Sequence, residues 1–308
     1  MVIQVLAKVG ALFLMMAVGA LARFKKVITD EALDALCKIV LYVTLPFLFI
    51  YVLSTKCVGD TILSFWTAPL FAVAIIFIGY GVAWAAAKFL RLSPKRKGTF
   101  IFLISFQNSG FLAIPIALAL FGDEGVLNII IFNIGFNVLY WTFGVWLFSQ
   151  SNTSVKHNPF VNLVNTGTIA LALGIVLGAF CVKLPGFLLD ASKTLGAATI
   201  PLAMLVVGAI LAGSELKKGI RFNFKEISAV VVCRLVLIPI IFLGLVRYLG
   251  GASQLMRSII ILQACMPSAS TSPLLAKRLG GDYDLAASGV FFTTLISIIT
   301  IPLFMSLV

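Results

Sequence analysis

Apolar blocks of about twenty or more residues follow one another along almost the whole chain, and this feature constrains the fold more than any other. A run of roughly 20 apolar residues is long enough to cross a bilayer as a helix. Hydrophobic side chains make up 61% of the 308 residues and charged side chains 11%, whereas about a quarter of the residues in soluble domains are charged. The sequence therefore predicts an all-α integral membrane protein without a separate soluble domain.

Ten of these blocks are expected to form ten transmembrane helices joined by short connectors. No block alternates apolar and polar residues as a half-buried strand does, so strands are not expected. The first block contains Lys8 and lacks a cleavage site, which indicates a retained first span. The predicted spans are 3–22, 33–53, 62–88, 98–120, 125–148, 160–181, 188–212, 226–248, 256–277 and 284–307.

Positive charge is concentrated in alternate loops. The loops after odd-numbered spans carry Arg23, Lys25, Lys26, Arg91, Lys95, Arg96, Lys97, Lys156, Lys217, Lys218, Arg221, Lys225, Lys277 and Arg278. The other loops hold few basic residues, and Asp123 and Glu124 make one of them acidic. Because basic loops stay in the cytoplasm, we expect both termini outside a cell (plasma or inner) membrane. The net charge of +12 is explained by this topology, and no nucleic-acid partner is expected.

Five spans in each half give the two halves opposite orientations, an arrangement common in secondary transporters. We therefore expect inverted repeats over residues 1–150 and 151–308. Short matches support the repeat: Leu45-Pro46 in span 2 corresponds to Ile200-Pro201 in span 7. Likewise, Phe121-Gly122-Asp123 follows span 4 and Gly280-Gly281-Asp282 follows span 9.

Spans 4 and 9 each carry a polar segment with proline near their middle. Span 4 contains Ser105 to Gly110 followed by Pro115, and span 9 contains Met266 to Pro273. Proline and glycine interrupt helices, and unsatisfied peptide groups in lipid persist only where protein or a cavity satisfies them. Such paired interruptions mark transporter binding sites, although proline kinks between packed helices are the alternative.

The expected ligand at the interruptions is a small organic anion. Each interruption exposes a helix N-terminus with partial positive charge, and nearby amides and hydroxyls supply further donors. For Asn133, Asn137 and Gln263, hydrogen bonding between helices is an equally good interpretation. The candidate binding residues are Asn108, Ser109, Gly110, Pro115, Asn133, Asn137, Gln263, Pro267, Ser268, Ser270 and Thr271.

Arg234 is the ionisable residue predicted nearest to the centre of a span. A charge at that depth must face protein, water or an anion, so Arg234 is either a counter-charge for the substrate or a structural contact to carbonyl groups. No Asp or Glu falls mid-span, and the sole histidine, His157, lies in a loop. A proton relay therefore has no candidate, and without HExxH, GxSxG or a phosphate-binding loop no enzyme or cofactor is expected.

The sequence resembles the auxin efflux carrier family, which includes plant PIN-FORMED auxin exporters and bacterial permeases of the malonate and malate type. The resemblance covers essentially the whole chain and is densest in Asn108 to Pro115 with Phe121-Gly122. It continues in Leu127 to Asn133, Pro267 to Lys277 and Ser288 to Phe292.

This resemblance implies ten helices in two inverted halves, as in the bile-acid symporters and NhaA. Spans 1, 2, 6 and 7 would be a scaffold and the other spans a mobile transport unit, with a homodimer formed through scaffold helices. Asn108 takes the position that meets the substrate carboxylate, and Pro115 and Pro267 take crossover proline positions. Ala113 replaces an expected glycine, and Ser268 to Ser272 is rich in hydroxyls, which favours an acid smaller and more polar than an indole.

We interpret the chain as a secondary carrier of small organic anions, working by an elevator or rocking motion and exporting with the membrane potential. A sodium-coupled symporter of the bile-acid type is the alternative, with sodium near Gln107, Asn108 and Gln263. A non-transporting membrane receptor is a third hypothesis, but it would not need two interruptions. The scattered cysteines are interpreted as packing residues, with a Cys57–Cys181 disulfide as the alternative.

Overall fold

The computed structural model describes residues 2–55, 67–149, 166–182, 184–215, 223–248 and 253–308. Within these residues the regular structure is helical, apart from an isolated antiparallel β-bridge between Gln107 and Ser268. This confirms the predicted all-α fold class.

Eleven helices make up the described part of the chain, and three of them contain a π-helical turn. The π-helical turns lie in the second, fifth and eighth helices, at 40–44, 140–144 and 233–237. The helices are α1 (Val2–Phe24), α2 (Asp30–Ser54), α3 (Ala68–Phe89), α4 (Pro94–Ser105), α5 (Ala113–Phe148), α6 (Thr166–Ala179), α7 (Gly186–Gly213), α8 (Phe224–Arg247), α9 (Gln254–Cys265), α10 (Ser272–Leu279) and α11 (Tyr283–Met305).

Local sequence fixes where the helices around the predicted site begin. The Ser253 hydroxyl accepts a hydrogen bond from the Met256 amide (3.1 Å) at the start of α9. The Asp282 carboxylate does the same for the Leu285 amide (2.9 Å) at the start of α11. Helix α4 starts at Pro94. An N–H group at this position would have no partner within the helix, and proline has no N–H group. These features satisfy or remove donors that a helix N-terminus cannot pair internally.

Both predicted interruptions are present. Helix α4 ends at Ser105 and helical structure resumes at Ala113, whereas α9 ends at Cys265 and resumes at Ser272. The first residue after each half-helix is extended, with φ/ψ of −106°/115° at Phe106 and −63°/141° at Met266. The chain thus leaves the helix immediately before the polar segments.

Two glycines with positive φ follow the interrupted spans. Gly122 has φ 65° and ψ −155°, which separates two helical stretches within α5. Gly280 has φ 80° and ends α10 in the left-handed conformation. Glycine is the residue that adopts these backbone angles without steric strain. This explains why helical structure is interrupted within Phe121-Gly122-Asp123 and ends at Gly280-Gly281-Asp282.

Seven helices in the described residues are long and apolar enough to cross a membrane, namely those at Ala7–Phe24, Asp30–Ser54, Ala68–Phe89, Ala113–Phe148, Gly186–Gly213, Phe224–Arg247 and Tyr283–Met305. The chain is therefore a multi-pass membrane protein. Predicted spans 4 and 9 correspond to shorter helical pieces on either side of the interruptions. Predicted span 6 is represented by the 14-residue α6, and its first residues lie outside the described part.

Close helix contacts divide the described helices into two groups. Helix α1 packs along α7, where Gly19 faces the Leu205 backbone and Gly208 faces the Met16 backbone so closely that a Cβ would overlap it. Helix α2 packs against α6 and α7, with Gly174 of α6 against Leu53. The remaining helices, α3 to α5 and α8 to α11, pack mainly on one another around the interrupted segments.

The packing interpretation of the cysteines is wrong for one of them. Cys181 is disulfide-bonded, whereas Cys37, Cys233 and Cys265 are free. Cys57, the partner considered for Cys181, lies outside the described residues.

Candidate functional site

The two interrupted segments cross each other and are joined through their backbones. The Asn108 amide donates a hydrogen bond to the Pro267 carbonyl (2.8 Å), and the Ala269 amide donates one to the Phe106 carbonyl (3.0 Å). These bonds flank the Gln107–Ser268 bridge and pair the segments antiparallel. Peptide groups released by the helix interruptions therefore find partners in each other, as burial requires. We call residues 106–109 and 266–269 the crossing.

Ser268 strengthens the crossing with its side chain. Its hydroxyl donates to the Leu103 carbonyl (2.7 Å), and its amide donates to the Thr293 hydroxyl (3.2 Å). Ser268 is fully buried. Its described contacts therefore connect the crossing to α4 and α11.

Arg234 binds the ends of both half-helices. Its side chain is completely buried, and Nε donates to the Met266 carbonyl (2.8 Å) while Nη1 donates to the Ile104 carbonyl (3.1 Å). Nη2 donates to the carbonyls of Gln263 (3.1 Å) and Ala264 (3.0 Å). Four backbone carbonyls from the last turns of α4 and α9 and from the crossing thus converge on one guanidinium, which is the contact expected by the structural interpretation of Arg234.

This arrangement has an electrostatic consequence. The C-terminal ends of α4 and α9 carry partial negative charge, and the Arg234 guanidinium neutralises it. The N-terminal ends of α5 and α10, which begin at Ala113 and Ser272 beside the crossing, carry partial positive charge. The described amides of these first turns bond within the chain, so what the helix ends offer a ligand is their partial positive charge, which favours an anion.

Asn108 has an unused hydrogen-bond donor at the crossing. Its Oδ1 accepts a bond from the Leu112 amide (3.3 Å), next to the start of α5. Among the described residues its Nδ2 has no partner, although Asn108 is only 3% exposed. An unsatisfied buried donor costs about 1–3 kcal/mol, so a ligand that accepts a hydrogen bond from Nδ2 would recover that free energy.

Asn133 of α5 contacts the residue after Asn108. The Ser109 hydroxyl donates to Asn133 Oδ1, and Asn133 Nδ2 donates to the Ser109 carbonyl (3.3 Å). Both residues are buried, and this pair of bonds holds the last residue of the first crossing segment against α5. The interhelical role considered for Asn133 is therefore present in the structure.

The other candidates occupy different surroundings. Asn137 is half-buried and makes no hydrogen bond to the crossing within the described chain. Gln263 is fully buried and contributes its carbonyl to Arg234, while its side-chain amide has no partner. Pro115 and Pro267 are buried, Ser270 is 6% exposed and Gly110 is half-buried. A Cβ added at Gly110 would meet nothing within 4 Å.

Sequence reasoning missed Tyr140 and Thr293. The Tyr140 hydroxyl is hydrogen-bonded to the Thr271 hydroxyl, which joins α5 to the segment before α10. The Tyr140 ring also contacts Phe106, with the ring centroids 5.7 Å apart. Tyr140 lies seven residues after Asn133 and three after Asn137, the spacing of one helix face, so this signal was available. Nothing in the sequence distinguished Thr293 from the other hydroxyls of α11.

Among the described residues, no cluster of three or more His, Cys, Asp or Glu side chains is positioned to hold a metal ion. Sodium prefers oxygen ligands, and the amide oxygens of Gln107 and Gln263 are buried without hydrogen-bond partners. A sodium ion beside these amides would also need the backbone carbonyls at the ends of α4 and α9 as ligands. Those carbonyls accept hydrogen bonds from Arg234 instead.

Several apolar helices long enough to cross a bilayer, with two interrupted segments paired among them, form the arrangement expected of a membrane transporter. A family described as membrane transport protein matches residues 4–305. The chain belongs to this family, the auxin efflux carrier family.

Three relatives show how far the similarity extends. An uncharacterized transporter of Methanocaldococcus jannaschii is 26% identical over 297 residues, 94% of each chain. An uncharacterized transporter of Methanothermobacter thermautotrophicus is 23% identical over 298 residues, 95% of each chain. The protein PIN-LIKES 6 of Arabidopsis thaliana is 29% identical over 140 residues, which cover 41% of this chain and 32% of the plant protein.

Proposed function

We propose that the protein is a secondary carrier of small organic anions, with carboxylates as the substrate class and export driven by the membrane potential. The observation that carries this proposal is the division of charge at the crossing. Arg234 occupies the negative helix ends, while the positive helix ends and Asn108 Nδ2 remain for a ligand. A carboxylate has both the charge and the acceptor atoms that such a site favours.

We further propose ten spans in two inverted repeats, residues 1–150 and 151–308. Three features support the repeat. Helices α4 and α9 have 12 residues each, the two hydrogen bonds at the crossing are reciprocal, and a glycine with positive φ follows each interrupted span. The short helical pieces next to the interruptions would then form spans 4 and 9.

Within this architecture, α1, α2, α6 and α7 would be the scaffold, and α3 to α5 with α8 to α11 would be the transport unit. The close glycine contacts between α1 and α7 favour a rigid scaffold. The bonds from Arg234, Ser268 and Asn133 favour a crossing that moves together with α5, α8 and α11. The carrier would expose the crossing alternately to the two sides by an elevator or rocking motion, and pair as a homodimer through the scaffold.

The proposed substrate is a small, polar acid of the malonate or malate type, or an auxin-like acid. The crossing contains the buried Ser109 and Ser268, and the buried Ser270 follows it, while Ala113 adds a methyl group at the start of α5 where glycine is expected. The Ser109 and Ser268 hydroxyls already donate to Asn133 and to the Leu103 carbonyl, so discrimination would rest mainly on Asn108 Nδ2, because a buried polar group left unpaired is costly.

Sodium-coupled symport is the second candidate, and one observation favours it. Gln107 and Gln263 each hold an unpartnered amide oxygen in the protein interior. However, Arg234 already binds the carbonyls that would complete such a cation site. We therefore favour transport of the anion without a coupled ion, called uniport, over sodium-coupled symport.

Uniport makes an energetic prediction. An inside-negative potential of about 100 mV contributes roughly 2.3 kcal/mol per charge, which corresponds to about a fifty-fold accumulation ratio for a monovalent anion. Export in proteoliposomes should therefore follow a potential clamped with potassium and valinomycin, at equal pH and equal sodium on both sides. Flux that ignores potential but follows an imposed sodium or proton gradient would replace the uniport by a symport.

The proposed topology, with both termini outside the cell membrane, makes a labelling prediction. Lys95 at the start of α4 and Glu124 in α5 are both exposed. In a background without native cysteines, Glu124→Cys should react with an impermeant maleimide in intact cells, whereas Lys95→Cys should react only after permeabilisation. The reverse pattern would invert the topology.

A further inference from the structure

Arg234 places a permanent positive charge within the described core of the protein. An arginine side chain keeps its proton in proteins. Arg234 is the eleventh residue of the 24-residue α8 and is 0% exposed. Its described hydrogen bonds all go to backbone carbonyls, which are neutral groups. The positive charge of the side chain is therefore compensated by peptide dipoles and by no carboxylate in the described chain.

The charge is attached to the crossing. The carbonyls that Arg234 binds belong to α4, α9 and Met266, and the crossing begins at the residues that follow these half-helices. A displacement of the crossing without Arg234 would break four hydrogen bonds in a buried place, each of which leaves a carbonyl unsatisfied. The guanidinium must therefore travel with the crossing if the crossing moves.

We propose that Arg234 makes the empty transport unit the charged form of the carrier, so that the membrane potential acts on the return of the empty unit. This inference rests on the proposed function. With a monovalent anion bound, the charge of Arg234 and that of the anion cancel, and the loaded unit crosses as a neutral body. A dicarboxylate of the malonate or malate type, bound as a dianion, leaves the loaded unit with one negative charge instead. The empty unit returns with one positive charge.

The other charged residues of the proposed transport unit lie towards helix ends or beside the Gly122 interruption of α5, so we expect them to contribute little to this balance. A helix dipole has ends of equal and opposite charge, so translating it through a uniform field transfers no net charge. The ion-paired cluster of Arg96 with Glu226 (3.1 Å) and Asp282 (3.2 Å) lies at the first turns of α4, α8 and α11. Because these residues occupy the first turns of their helices, we expect them near the membrane boundary, where little of the potential falls, whereas Arg234 lies in the middle of α8.

The cycle as a whole still exports one negative charge. An inside-negative potential pulls the positive empty unit back towards the cytoplasm and leaves the loaded step unaffected. For a symmetric barrier, a potential of about 100 mV accelerates the empty return roughly sevenfold, the square root of the fifty-fold equilibrium effect. Without a potential, substrate on the far side should speed efflux, because exchange replaces the empty return by a loaded one.

Two flux modes of the wild-type protein test the proposal. Proteoliposomes are loaded with radiolabelled lactate, pyruvate or indole-3-acetate, each monovalent at pH 7, and the potential is set with potassium and valinomycin. Net efflux into buffer without acid should accelerate with the inside-negative potential. Efflux against an equal concentration of the same unlabelled acid should not respond. Control liposomes without protein measure passive leakage of the uncharged acid.

The outcomes separate this inference from the proposed function. If exchange responds to potential as net efflux does, the loaded unit carries the charge and the proposal is overturned. If only dianions such as malonate or malate are transported, the same charge assignment requires exchange to respond to potential, and exchange that ignores potential overturns it. If no carboxylate of a wider panel is transported in either mode, the proposed function itself fails. Potential-dependent net efflux together with potential-independent exchange supports both.

Variants that change the charge at position 234 provide a second test, provided that each variant folds. Arg234→Gln makes the empty unit neutral and the loaded unit negative, so exchange should become potential-dependent. Arg234→Lys keeps the charge and should leave exchange independent of potential. Arg247→Gln, at the exposed end of the same helix, is the matched control and should behave as wild type. Exchange that stays independent of potential in folded Arg234→Gln contradicts the charge assignment.

Discussion

Replacing Arg234 by glutamine is expected to destabilise the protein more than any other single charge removal in the described chain. The variant leaves up to four buried carbonyls without their donors, and a glutamine amide can restore two bonds at most. Removing one partner of a buried charged network typically costs about 3–5 kcal/mol. We therefore expect lower abundance in the membrane and a clearly lower melting temperature of the purified protein.

The measurement is thermal unfolding followed by tryptophan fluorescence, in detergent and in lipid nanodiscs. Arg234→Lys should be intermediate, because an ammonium group donates three bonds and lacks the planar fork of a guanidinium. Arg247→Gln should stay within about 0.5 kcal/mol of wild type, as exposed substitutions usually do. Equal melting temperatures for Arg234→Gln and Arg247→Gln would show that the carbonyl contacts do not stabilise the fold.

The helical fold and both interruptions could be predicted from the sequence because their causes are local. Hydrophobic length determines which segments enter the membrane. Pro115, Pro267 and Pro273 disfavour a continuous helix within their own spans, and Gly122 and Gly280 provide the backbone angles at which the following helix can change direction. Each of these effects is encoded within a few residues of the place where it acts.

The pairing of the interruptions could not be predicted in the same way. Gln107 and Ser268 are 161 residues apart, and no local rule selects one extended segment as the partner of another. The sequence favours the structural interpretation of Arg234 only slightly, because no carboxylate falls at that depth, and carbonyl groups are present at every residue and leave no compositional signal. Only the tertiary structure shows that the released carbonyls of α4 and α9 are directed at one guanidinium.

The candidate binding residues illustrate the same limit. Asn133 and Asn137 share a helix face, yet Asn133 is hydrogen-bonded to Ser109 and Asn137 has no such bond to the crossing. The regular period extends to Tyr140, which reaches Thr271, but the π-helical turn at 140–144 changes the helix register beyond it. A pattern with a regular helical period predicts which residues share a face, but it does not predict a local change of that period.

Asn108→Ala is expected to weaken substrate binding strongly while leaving most of the fold intact. The substitution removes Nδ2, the unpartnered donor at the crossing, and a hydrogen bond to a charged group contributes about 1.5–3 kcal/mol. This corresponds to a loss of roughly 10- to 100-fold in affinity. The bond from the Leu112 amide (3.3 Å) is also lost, so the melting temperature should fall slightly.

A matched pair of variants separates the two effects of the Asn108 substitution. Asn108→Asp keeps an oxygen for the Leu112 amide but replaces the donor by a negative charge, so it should abolish anion binding with a smaller loss of stability. Asn128→Ala is the control, because the Asn128 side chain donates within its own helix to the Glu124 carbonyl (2.8 Å). Binding of a transported carboxylate is measured by its protection against thermal unfolding, and flux is measured in proteoliposomes. If correctly folded Asn108→Ala binds and transports as Asn128→Ala does, Asn108 does not contact the substrate and the ligand must be held by the helix ends alone.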